Sequence, residues 1–138
     1  MEAKDKFEML ALANGWRFIH ARRDYQNLTD ALSFIDDAVE GYGVGETILF
    51  LDPVIYDATS TDGVVYSGNF MVLTKSDIDD TYENKYAKYI EPLKQEILGS
   101  FKNNVRCSFE IKQWRAIEVI NVFDINADGL SVQFNLKG

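Results

Sequence analysis

The chain has 138 residues, of which 46% are hydrophobic and 13% aromatic, and carries a formal net charge of −8. That length and apolar content suit one domain spanning 1–138 with its own core and exclude a disordered chain. The acidic balance excludes a binder that works by neutralising nucleic-acid phosphates, and the single cysteine excludes an internal disulfide.

No run approaches the roughly 18 apolar residues of a membrane helix. The opening MEAKDKFEML is charged and lacks the apolar stretch of a signal peptide. The expectation is a soluble protein made in a reducing cytoplasm, with no membrane partner. Its charge is unevenly spread. Between Asp24 and Glu91 lie 14 acidic residues and 3 lysines, whereas the flanks are net basic. Such asymmetry suits a solvated acidic surface, unlike-charged faces meeting between copies, or a face that repels an anion.

In chain order, residues 4–13 are strong helix formers with Phe7, Leu10 and Ala11 on one face, and Asn14-Gly15 stops them. WRFIHAR (16–22) reads as a short strand. In 27–43, Leu28, Leu32, Ile35 and Val39 recur at helical spacing and predict a second amphipathic helix. ETILFLDP (46–53) reads as a strand stopped by Asp52-Pro53, residues 54–63 as a long loop, and VVYSGNFMVLT (64–74) as a further strand.

Ser76 is a candidate cap for the next helix, with Asp77, Asp79 and Asp80 suiting its first turn. Tyr82, Tyr86, Tyr89, Leu93, Ile97 and Phe101 form its apolar stripe, kinked at Pro92. Three strands close the chain, over 105–113, 115–125 and 129–137. Helices and strands are segregated along the chain. The predicted class is therefore α+β: a mainly antiparallel sheet of about five strands, packed by a long kinked helix and two shorter N-terminal helices.

DINADG (124–129) has the opening pattern of a calcium-binding loop. The twelfth position of such a loop must supply a bidentate carboxylate, and here it is Asn135. Leu130, Val132, Phe134 and Leu136 alternate with polar residues, so a strand follows rather than a helix. Asn126 to Gly129 therefore reads as a hairpin turn. GYGVG (41–45) precedes a strand, the wrong order for cradling phosphate on a helix N-terminus. His20 and Cys107 stand alone in their kinds. Cys107, sharing a strand face with Val105, Phe109 and Ile111, reads as a buried inert thiol. Neither a catalytic set, a metal centre nor a cofactor site emerges.

The segments ILFL (48–51), FMVL (70–73) and 115–125 are apolar on both faces and need cover on both sides. The three helices of one chain supply it, or a neighbouring copy does.

The stretches ETILFLDPV, YSGNFMVLTKSD, YENKYAKYIEPLKQEIL and AIEVINVFDINADGLSVQF, in that order of elements, resemble the tail-terminator and tail-completion proteins of tailed bacteriophages. The resemblance covers residues 46 onward and rests on element order rather than a diagnostic motif. It implies a non-enzymatic virion protein, assembled in the host cytoplasm into a ring of commonly six copies at the tail or head–tail junction. The ring's neighbours would be tail-tube, connector or neck proteins, and DNA would pass through without specific binding. The loop 53–63 and the exposed side of the sheet would contact those neighbours. Candidate interface residues are Val54, Ile55, Tyr56, Tyr82, Tyr86, Trp114 and Arg115, with Asp77, Asp79 and Asp80 as lumen or interface acids. The extra helix at 28–40 departs from a minimal version of this fold. The alternative from another class is a monomeric module holding a small apolar ligand between the sheet and the helix at Pro92.

Overall fold

The computed structural model describes residues 2–20, 43–76, 81–120 and 127–138. The predicted helix over 28–40 lies outside these residues, as do Asp77, Asp79, Asp80 and Asp124. The described elements are α1 (Ala3–Ala13), β1 (Arg17–His20), β2 (Thr47–Leu51), β3 (Ile55–Asp57) and β4 (Val65–Lys75), followed by a helical run and then β5 (Glu110–Val119) and β6 (Ala127–Lys137). The run comprises α2 (Tyr82–Lys85), a π-helical turn (Tyr86–Ile90), α3 (Glu91–Leu98) and α4 (Ser100–Arg106).

The class is α+β, with one six-stranded sheet in the order β1-β2-β4-β6-β5 and β3 beside β4. Every pairing is antiparallel except β1 with β2, which is parallel. The sheet is thus mixed, and the expectation of about five strands is corrected to six. β2 and β3 follow one another along the same edge of β4, parted at Pro53, whose missing N–H cannot join a ladder.

Local chemistry sets the helix ends. Asn14 closes α1, its side chain donating to the Leu10 carbonyl at 2.9 Å, and Gly15 takes the left-handed φ of 75°. Thr81, not Ser76, caps the second helical run, with its hydroxyl accepting from Asn84 N at 3.3 Å. Ser76 is buried instead. Pro92 cannot donate to the carbonyl four residues back. The turn before it opens to the π form, where Glu91 N reaches Tyr86 O.

The predicted strand over 105–113 is half wrong. Leu93, Ile97, Phe101 and Val105 continue one buried stripe at steps of four, so the helix runs through Arg106. Glu110–Val119 then forms one strand where two were expected. Cys107, past the end of α4, is exposed and donates to Asn103 O at 3.4 Å, which corrects its reading as a buried thiol.

The helices pack on one face of the sheet. Phe7 lies 5.0 Å from both Phe70 and Phe134, and Trp114 lies 5.6 Å from Phe70. Phe7, Phe70, Phe101 and Phe134 are almost fully buried, each contributing on the order of 1.5–3 kcal/mol of burial energy. The hairpin reading of 126–129 is also corrected. Ala127, Asp128 and Gly129 are buried strand residues opposite Lys75, Thr74 and Leu73. Gly129 serves a close approach rather than a turn, because a β-carbon there would run into the Val72 carbonyl oxygen. Asp128, wholly buried, faces the buried Lys85 ammonium at 4.0 Å, tying the end of α2 to the start of β6.

Candidate functional site

The other face of the sheet divides in two. Where β2 meets the far half of β4, Ile48, Phe50 and Leu73 are buried although they stand apart from the main core cluster. Towards β5 the face is open and forms a groove of about 890 Å³. Alternation aims the side chains: Phe70 faces Val132 in the core, so their neighbours Asn69 and Gln133 point the opposite way. On β5 a bulge at Lys112 resets the alternation, placing Trp114 opposite Phe134 and Arg115 opposite Gln133.

Ser67 and Asn69 from β4, Ser131, Gln133 and Asn135 from β6, and Gln113 and Arg115 from β5 supply the floor, between Ile55 and Ile117. Asn69 Nδ2 donates to Ser131 Oγ at 3.1 Å. In that lining Arg115 is the cation and Asp52 the anion. Burial raises the Asp52 carboxyl above its ordinary range, opposed by a hydrogen bond from Asn69. Amides donate and accept alike, so this floor can hydrogen-bond a neutral backbone or hydroxyl-rich occupant, with one charge contact at Arg115.

Beside the groove, the second half of β5 outruns its cover. Ala116 and Glu118 lie opposite the core residues Val132 and Leu130, yet both are exposed. On the groove side Ile117 is 67% exposed. β5 ends the strand order, so among the described residues its outer edge is unpaired. A strand end with Ala116 and Ile117 exposed on opposite faces, and with an edge unpaired among the described residues, is a pairing surface.

The predicted interface residues scatter. Ile55 and Tyr56 are exposed on β3, Tyr82 is exposed at the start of α2, and Arg115 is exposed in the groove. Val54 is buried and belongs to the core. Tyr86 is half-buried against the core and accepts from Lys94 Nζ at 2.9 Å. Trp114 lies within β5 rather than at a break between strands, half-buried, with its indole donating to Ile97 O at 3.2 Å. These three contribute packing rather than free surface. The groove amides and Ile117 were not singled out as a site, although the alternation of 130–137 had already put Gln133 and Asn135 on the polar face.

His20 and Cys107 sit on different elements, the end of β1 and the turn after α4. Burial pushes the His20 imidazole below its ordinary pKa, with Lys4 adding to the effect. Among the described residues no group of three metal-ligating side chains converges. No helix among them is long and apolar enough to cross a membrane. Near Pro92, Trp16, Thr47, Thr74, Tyr89 and Leu93 line a second cleft of about 350 Å³. Comparison with protein-family models, curated proteins and solved structures returned no match.

Proposed function

We propose that this chain is a non-enzymatic structural subunit that works by assembling with copies of itself into a ring, as phage tail-terminator, tail-completion and neck proteins do. The supporting observation is the second half of β5, where Ala116 and Ile117 are exposed on opposite faces between Arg115 and Glu118, on a strand edge unpaired among the described residues. Covering Ile117 and Ala116 with a neighbouring copy removes apolar surface from water at about 25 cal/mol per Å². The acidic stretch between Asp24 and Glu91 suits a surface past which DNA slides without adhering.

The test is native mass across protein concentration with negative-stain images of the same sample, on the wild type and on Ile117→Lys. Closed rings are expected for the wild type, and smaller species for the variant at the same concentration. A wild-type monomer at high concentration, with or without tail-tube protein, overturns the ring. A second reading, a monomeric module binding a small apolar ligand, draws on the cleft beside Pro92, whose volume falls within the usual range for ligand sites. It takes precedence in that case.

A further inference from the structure

A ring needs a contact between two different surfaces, because a patch that pairs only with itself about a two-fold axis stops at a dimer. The chain carries two surfaces that match. One is the amide-floored groove with Arg115. The other is the arm formed by β3 and the turn after it, in which every residue from Ile55 to Gly63 is exposed. The arm is shaped rather than loose. Thr59 N donates to Asp57 Oδ1 at 2.9 Å, and Asp62 N donates to Ser60 Oγ at 3.1 Å.

We propose that the acidic arm of one copy seats in the groove of the next, with Asp57 and Asp62 towards Arg115. This rests on the ring reading and names its contact. Charge complementarity chooses the occupant: the arm carries Asp57, and Asp62 4.0 Å from Lys137 of its own chain, and the groove's cation is Arg115. The three hydroxyls between those carboxylates, and the backbone of the turn, match a floor of amides that both donate and accept. Asp52 in the groove wall accepts from those hydroxyls. The arm's tip lies past the end of its own sheet, where Gly138 N donates to Val64 O at 3.2 Å, while its base at Ile55 forms a wall of its own groove. The tip is therefore presented outward to another copy. Since arm and groove differ, the contact is head-to-tail and repeats around a ring.

The test reverses each side separately. Arg115→Glu makes the groove acidic. Asp57→Asn with Asp62→Lys makes the arm basic while the asparagine keeps the acceptor that Thr59 needs. All three positions are exposed, and the surface pair of Asp62 with Lys137 at 4.0 Å that one change removes is worth little, so the fold is retained. By native mass and sedimentation, each variant alone needs about tenfold more protein to assemble than the wild type. A one-to-one mixture of the two, and the chain carrying all three changes, both return towards wild type. If the wild type never assembles, the ring reading fails and takes this contact with it. If the wild type assembles and either variant assembles equally well, or if the mixture and the triple variant fail to recover, this contact alone is overturned.

Discussion

Phe134 and Gln133 are adjacent on one strand, yet their surroundings are opposite. Phe134 lies among the rings of Phe7 and Phe70 beneath the helices, and Gln133 floors an open groove. One sheet therefore does two jobs: its helix side supplies stability, and its open side near β5 offers chemistry. On the buried side even polar groups are committed to packing, as with Lys85 and Asp128. On the open side apolar groups such as Ile117 are left free.

The largest expected difference comes from truncating each side. Phe70→Ala costs about 3–5 kcal/mol in urea unfolding, whereas Gln133→Ala stays within about 0.5 kcal/mol. Comparable losses at the two sites would erase the distinction. Next comes Lys85→Met, which removes the ammonium facing the buried Asp128 side chain and costs about 3 kcal/mol. Adding Asp128→Leu recovers a large part of that loss, as measured by a double-substitution cycle. A cycle with no coupling would mean that the pair does not tie α2 to β6.

The smallest effect belongs to Asp52 on the groove wall. Burial raises its pKa, so the folded chain holds that proton more tightly than the unfolded chain. Its contribution is most favourable at low pH and is lost as pH rises through the carboxylate range. Asp52→Asn therefore gives a small rise in Tm at pH 7, and the gain fades as pH falls towards about 4 and is absent below it. A gain independent of pH would assign the effect to something other than ionisation.

Much of this division was legible in the sequence. The alternation in 129–137 by itself separates Phe134 from Gln133, and Asn14-Gly15 marks the end of α1. Where the reading failed, two physical signals overlapped. Val105 fits a strand alternating with Cys107 and Phe109, and it also continues a helical stripe from Leu93 in steps of four. Packing of Phe101 and Val105 into the shared core decided for the helix. The parallel pairing of β1 with β2 depends on how a distant segment returns, which no local pattern encodes. Trp114 and Tyr86 read as interface anchors because large aromatics anchor both cores and interfaces, and in the fold both lean half-buried on the core. Of the interface candidates on described residues, Ile55, Tyr56, Tyr82 and Arg115 reach the surface.

Gly129 carries a consequence for substitution. Any side chain at that position meets the Val72 carbonyl, so the β4–β6 pairing cannot survive its replacement without moving the backbone. A chain that keeps this sheet with a larger residue opposite the position of Leu73 has to move the Val72 carbonyl or its own strand to make room. That one position is then a constraint on which sequences can adopt this pairing unchanged.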